Sequence, residues 1–316
     1  MLRLLFLGTP DFAVPSLARL LQSEHRVVGV VSQPDRPRGR GQHVQPPPVK
    51  VLAQAHDLPV WQPVRLKDPD LIDALRAVKP DAAVVAAYGR IIPDVLLDLP
   101  RLGMINVHAS LLPRWRGASP IQRAVMAGDR ETGITIMRVV SELDAGPMLA
   151  KATRPIGPDE TAADVERDLA EIGAALLPPV LGALESGTAR EEPQDAALVT
   201  FAPRLEKGDG AVDWTLTAPE LHNRVRGLHP WPLAFSWLGA ARITILRTRS
   251  EAARHTVTEG TIVEARGDRI VVAAGAGTSL ALLEVRPEGR RAMTAREFLS
   301  GHRVEPGTRF LVHPPA

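Results

Sequence analysis

The sequence predicts an α/β fold, a parallel-type sheet flanked by helices, joined to a smaller β-barrel. Three observations predict it. An apolar run, a turn and a helical stripe open the chain and lead into a second apolar run. This strand-then-helix order continues as far as a long helix after Thr161, and beyond residue 207 short β-rich pieces separated by turns replace it. A chain of 316 residues fits two domains of roughly 100–200 residues better than one core. Its 45% hydrophobic and 23% charged residues exclude wholesale disorder.

Leu2 to Leu7 reads as a buried strand, Gly8-Thr9-Pro10-Asp11 as a turn, and Val14, Leu17, Ala18 and Leu21 as a helical stripe at i, i+3, i+4, i+7. Val27 to Val31 is the next strand. Gln33 to Lys50 then holds five prolines and two glycines, with four basic residues against one acidic. Proline's fixed φ and missing N–H work against a helix interior or a central strand, so this segment is expected to be a long binding loop that meets phosphate. Asp68-Pro69 pairs an N-cap with proline at the first helical position and opens a helix ending near Pro80. Strands follow at Ala82 to Ala87 and Met104 to His108. Ser119-Pro120 repeats the cap signal before a helix to Met126, and Thr132 to Val139 is β-rich. Thr161, with Asp164 three residues on, caps a long helix carrying Val165, Leu169, Ile172 and Leu176.

Residues 187–209 mix Gly, Pro and charge without a period, as linkers do, and the seam is placed there. Past it, Arg242 to Leu246, Gly260 to Glu264, Arg269 to Ala274 and Ser279 to Val285 are spaced as the strands of a small barrel. Residues 207–316 hold 15 basic against 11 acidic groups, +4, while residues 1–206 carry −2. A basic second part is suited to an anionic partner, though an ordinary solvated surface has the same composition.

Several functions fall away on inventory. With no cysteine there is no disulfide scaffold, thiolate zinc site or cysteine nucleophile. No GxGxxG or GxxxxGK[ST] follows a strand, and Ser110 lacks a GxSxG elbow. No HExxH and no dense carboxylate cluster accompanies His108, so no metal is expected. The longest apolar run, Gly173 to Leu184, is short of a span of roughly 18 residues and is broken by Pro178 and Pro179. MLRLLFLGTPDF has only four apolar residues between Arg3 and Gly8, too few for a signal-peptide core.

The densest polar cluster on an apolar background is Asn106-Val107-His108, followed by Ser110-Leu111-Leu112-Pro113. Alternation along a strand points Asn106 and His108 to one face, near the carboxyl end where open α/β sheets bind ligands. An amide beside an imidazole suits an oxyanion clamp for a carbonyl becoming tetrahedral. Spacing alone equally allows His108 to be a hydrogen-bonded structural residue. Asp144 in SELDAGPM, or Glu142 beside it, could orient or deprotonate the histidine; Asp144 also reads as shaping its own turn before Gly146. Acyl or one-carbon transfer through a tetrahedral intermediate is the chemistry left.

The segment GMINVHASLLPRWRGASPIQRAVMAGDRETGITIM, followed by LDAGPM, resembles the methionyl-tRNA formyltransferase family, as do VVSQPDRPRGRG before it and RGLHPWPLAF and GRRAMTAREFLSGHR after the seam. The likeness covers nearly the whole chain. It implies a Rossmann-like formyltransferase domain over residues 1–189, a linker over 190–206, and a basic tRNA-binding OB-like β-barrel over 207–316. It also implies transfer of the formyl group of 10-formyltetrahydrofolate to the amino group of initiator methionyl-tRNA, by a cytoplasmic monomer without metal or membrane. Carried across, Asn106, His108 and Asp144 fall on the catalytic trio, Ser110, Leu111, Leu112 and Pro113 on the folate contacts, and Tyr88 to Ile92 beside the pterin. Arg38 and Arg40 fall on the loop that approaches the tRNA acceptor end. Arg38, Ala109 and Glu142 depart from the family pattern, the last where glycine is usual. Trp231 in LHPWPL reads as a core residue ahead of a base-stacking one. Two rivals remain: a formyltransferase for a small amine, such as an amino sugar nucleotide or glycinamide ribonucleotide, and a catalytically silent RNA-binding protein.

Overall fold

The computed structural model describes residues 1–38, 43–252 and 254–314. They divide into two packed units: Met1–Pro120, Glu131–Pro155 and Glu166–Pro203 in the first, and Ile121–Arg130, Ile156–Val165 and Arg204–Ala316 in the second. Up to residue 203 the chain forms β1 (Arg3–Gly8), α1 (Val14–Leu21), β2 (Arg26–Val31), β3 (Arg36–Arg38), β4 (His43–Gln45), α2 (Pro48–Ala55), β5 (Val60–Trp61) and α3 (Pro69–Ala77). It continues with β6 (Ala82–Ala86), α4 (Asp94–Leu97), β7 (Met104–His108), β8 (Arg116–Gly117), α5 (Pro120–Ala127), β9 (Glu131–Arg138), β10 (Met148–Pro155), α6 (Ala162–Ser186) and β11 (Phe201–Ala202).

Seven strands make the main sheet of the first unit, in the order β10-β9-β7-β6-β1-β2-β5. β7, β6, β1, β2 and β5 run parallel, while β9 and β10 join antiparallel. Leu4, Leu5, Phe6 and Leu7 of the central β1 are fully buried, which is why that strand is continuously apolar rather than alternating. Asp81 secures one end of the sheet. Its carboxylate accepts from Arg3 N at 2.8 Å and Arg101 Nε at 2.7 Å, while its own N–H donates to Arg3 O. α3 starts as its sequence predicts, with Asp68 accepting from Asp70 N ahead of Pro69. The face of α1 differs from the predicted stripe, since Ser16, Leu17 and Leu20 are buried and Val14, Ala18 and Leu21 lie at its margin.

The proline-rich segment is not all loop. β3 and β4 pair antiparallel, with Arg36 opposite Gln45 and Arg38 opposite His43, and Pro48 begins α2. A two-stranded ribbon leaves Pro37 an open edge where its missing donor costs nothing, and Pro48 occupies a first-turn position whose N–H needs no partner. Within residues 190–206, expected to run as a linker, the part up to residue 203 is bonded along the first unit. Glu192 and Met148 exchange backbone hydrogen bonds of 2.8 Å, and Phe201–Ala202 pairs with Arg116–Gly117.

α6 is long and apolar enough, by length and composition, to cross a membrane, whereas the sequence run alone looked too short. Its buried positions Val165, Leu169, Leu177, Leu181 and Leu184 form one stripe, as in the core helix of a globular unit. Gly173 lies on that stripe. A Cβ there would come within 2.6 Å of Val107 Cγ1, so the helix backbone rests directly on β7.

The second unit holds α7 (Ala218–Gly227), β12 (Ala234–Leu238), β13 (Ala241–Glu251), β14 (Ile262–Arg266), β15 (Arg269–Ala273), β16 (Ser279–Pro287), β17 (Met293–Thr294), α8 (Ala295–Gly301) and β18 (Phe310–Leu311). Its antiparallel sheet runs β14-β15-β16-β13-β12-β18, with β17 on β16. Hydrogen bonds from Ile262 N to Thr308 O and from Phe310 N to Gly260 O curl the sheet back on itself, giving the OB-like barrel. Trp214, Leu221, Ile245, Leu282, Phe298 and Phe310 fill it. Trp231 is not among them. At 49% exposure it stands on the turn between α7 and β12, where Leu228 and Ala234 on either side take the buried positions.

Candidate active site

β7 positions the first two polar residues. Because Val107 meets Gly173 of α6, alternation sends Met104, Asn106 and His108 to the opposite face of the sheet. Met104 packs there with Tyr88 and Ile92. Asn106 is the one residue of β7 that is not fully buried, whereas His108 is 5% exposed. Burial leaves Tyr88 Oη without a hydrogen-bond partner among the described residues and pushes its phenol pKa up.

The third residue arrives from the turn between β9 and β10. Asp144 Oδ2 lies 3.6 Å from His108 Nδ1, beyond direct hydrogen-bond range. The other ring nitrogen, Nε2, is 3.0 Å from the Trp115 carbonyl, which can only accept, so Nε2 is the donor. Gly117 N donates to Asp144 Oδ2 at 2.8 Å and holds the carboxylate beside the ring. Both Asp144 and Trp115 have positive φ, +49° and +67°. For residues with a side chain such conformations cost about 1–3 kcal/mol and persist only where the surroundings over-determine them.

Part of that determination is a close approach of two backbones. A Cβ on Gly146 would lie 2.0 Å from Arg138 O, so only glycine lets the Asp144 turn sit against the end of β9. Gln194 supplies more: its Nε2 donates to the carbonyls of Asp144 and Gly146, both at 2.8 Å, and its Oε1 accepts from Arg116 Nε at 3.0 Å. Arg116 Nη1 also reaches Glu142 Oε1 at 3.3 Å, which gives that departure from glycine a role on the rim of the turn. Sequence reading missed Gln194 and Arg116, because their partners lie 26 to 78 residues away and leave no local pattern.

The Ser110–Pro113 segment turns away from the end of β7. Ser110 is fully buried; its hydroxyl donates to Arg114 O at 2.6 Å and its carbonyl accepts from Thr135 Oγ1. Thr135 Oγ1 in turn accepts from Leu112 N, and Leu112 packs with Met137 and Met148. Leu111 and Pro113 are partly exposed. Arg38 contributes its backbone to the β3–β4 ribbon, and Arg40 lies outside the described residues. Among the described residues one group, Glu24, His25 and Glu185, brings possible metal ligands within 4.8 Å of one another. It contains none of the trio, and His25 Nδ1 there already accepts from Leu2 N.

Comparison with known proteins gives this geometry a family. A model described as formyl transferase matches residues 2–181, and one described as formyl transferase, C-terminal domain, matches residues 204–303. A methionyl-tRNA formyltransferase of Geobacter sulfurreducens is 45% identical over 98% of this chain and 96% of its own. One of Methylococcus capsulatus is 46% identical over 95% and 97%. Among solved structures, an N-formyltransferase of Helicobacter canadensis in complex with folinic acid and dTDP-3-aminofucose is similar, with a TM-score of 0.66 at 16% identity over 89% of this chain and 99% of that one. HypX of Aquifex aeolicus in complex with tetrahydrofolic acid gives 0.63 at 19% identity, over 97% of this chain and 50% of that one. At these identities the structural likeness speaks for the fold.

Proposed function

Because the chain belongs to the methionyl-tRNA formyltransferase family, we propose that it transfers the formyl group of 10-formyltetrahydrofolate to the free amino group of initiator methionyl-tRNA, giving formylmethionyl-tRNA for translation initiation. The observation that carries the reading is the meeting of His108 and Asp144 at 3.6 Å, on the face of the sheet that Asn106 also occupies.

An α-amino group titrates near pH 8, and an esterified carboxyl lowers that further, so much of the methionyl amine is already a free base at neutrality. The work left is positioning and charge stabilisation. In this reading the amine nitrogen attacks the formyl carbon, and the negative charge that develops on the formyl oxygen is met by the Asn106 amide and, once Nδ1 of His108 also carries a proton, by that edge of the ring. Asp144, directly or through water, takes the proton shed by the attacking nitrogen. Collapse breaks the bond to N10 of the folate, which leaves with a proton as tetrahydrofolate. Ser110, Leu111, Leu112 and Pro113, with Tyr88 to Ile92, would line the folate side.

Residues 1–189 would carry the chemistry and 207–316 would grip RNA through backbone phosphates, with 190–206 running between them and Arg38 and Arg40 reaching the acceptor end. The chain would act as a cytoplasmic monomer with no metal and no membrane; the buried stripe of α6 supports the last point. A parallel assay tests the reading. Purified protein and 10-formyltetrahydrofolate are offered charged initiator tRNA, charged elongator tRNA and glycinamide ribonucleotide, with formylation of the initiator alone expected. Formylation of the ribonucleotide instead would move the protein to the small-amine enzymes.

A further inference from the structure

We propose that Gln194 is a positioning residue for the transfer reaction, acting through the Asp144 turn; this rests on the function proposed above. Three facts point to it. First, Asp144 has φ +49°, a left-handed conformation that aspartate tolerates within a turn, so the place of its carboxylate depends on how that turn is held. Second, the Gln194 side chain spends both amide hydrogens on the two carbonyls that bracket the turn, Asp144 O and Gly146 O, each at 2.8 Å. Third, its carbonyl oxygen is held by Nε of Arg116, a buried residue whose chain neighbour Gly117 holds the Asp144 carboxylate itself.

The residue type follows from the inventory of donors and acceptors. Two main-chain acceptors on one side and a guanidinium donor on the other call for a side chain with two N–H bonds and one oxygen. Glutamate supplies the oxygen but no donor to the carbonyls. Alanine supplies neither. Asparagine is one methylene shorter and cannot span the same separation. The segment that composition marks as a linker thus reaches into the chemistry of the site. Thr200 of the same segment accepts from Trp115 N at 2.9 Å, steadying the residue whose carbonyl holds His108 Nε2.

The experiment compares wild type, Gln194→Glu and Gln194→Ala in initiator methionyl-tRNA formylation, each also in an Asp144→Ala background, with melting temperatures measured alongside. Misplacing a catalytic group by a fraction of an ångström to an ångström costs up to about a hundredfold. Gln194→Glu is therefore expected to lower kcat by roughly 10- to 100-fold, with KM for tRNA and folate nearly unchanged and with a displaced acid limb of the pH–rate profile. In the Asp144→Ala background the same substitution should cost almost nothing, because the group it positions is gone. A kcat close to wild type, an equal loss in both backgrounds, or failure of both variants to fold would overturn the proposal; the last would make Gln194 a support of the fold. If wild type itself formylates no methionyl-tRNA, the parent reading fails instead.

Discussion

At the scale of single residues, the candidate site limits what each polar group can bond. His108 donates from Nε2 to a main-chain carbonyl, so its free edge is the one facing Asp144. Asp144 has one oxygen engaged by Gly117 N and retains acceptor capacity for a proton. Asn106→Ala, His108→Ala and Asp144→Ala are each expected to lower kcat by about 10²–10³-fold while tRNA affinity stays nearly constant. Steady-state kinetics paired with a filter-binding titration separates the two effects. Turnover near wild type in all three variants would remove the trio from the mechanism.

At the scale of elements, the joint at Asp81 makes a pH-dependent contribution to stability. The hydrogen bond from Arg3 N, opposed by burial and helped by Arg101, holds its carboxyl below the usual carboxylate range. A depressed folded-state value means the unfolded chain binds the proton first, so the contribution is present above the ordinary pKa near 4 and is lost as pH falls below it. Asp81→Asn should therefore destabilise the first unit by roughly 1–2 kcal/mol at pH 7. The deficit should shrink as pH falls below the ordinary carboxylate range and vanish once the folded carboxyl is itself protonated, read from denaturant midpoints. A deficit independent of pH would assign the loss to packing.

Elements also show what could be read beforehand. α3 and β7 were legible because their signals are local: a cap followed by proline for one, an apolar run ending in polar residues for the other. The trio's two strand residues were placed on one face by the same alternation. The antiparallel β9 and β10, the β3–β4 ribbon and the surface position of Trp231 were not legible, since pairing direction and exposure are decided by partners distant in sequence. The bonding of residues 190–203 was not legible for the same reason. Their attachment uses backbone bonds at Glu192 and Thr200 and one glutamine, none of which alters composition.

At the scale of the molecule, a near-neutral chain combines a mildly acidic first part with a basic second part. If the second part grips RNA through phosphates, the logarithm of the binding constant for initiator tRNA should fall linearly with log salt, by a slope of about −0.7 to −0.9 per phosphate neutralised. An equilibrium titration at several salt concentrations gives the slope, and a flat line would leave no electrostatic role for the basic barrel. Folate affinity should not follow the same slope.

The two packed units are not consecutive stretches of sequence. Ile121–Arg130 and Ile156–Val165 belong with the residues after 204, although first-unit segments precede and follow each of them. The polypeptide therefore changes allegiance five times between its ends. A single nick cannot release one unit as an intact fragment, and truncation after residue 203 would leave Met126 stripped of the apolar cluster it packs against. Excision or swapping of either part by a single cut is thereby discouraged.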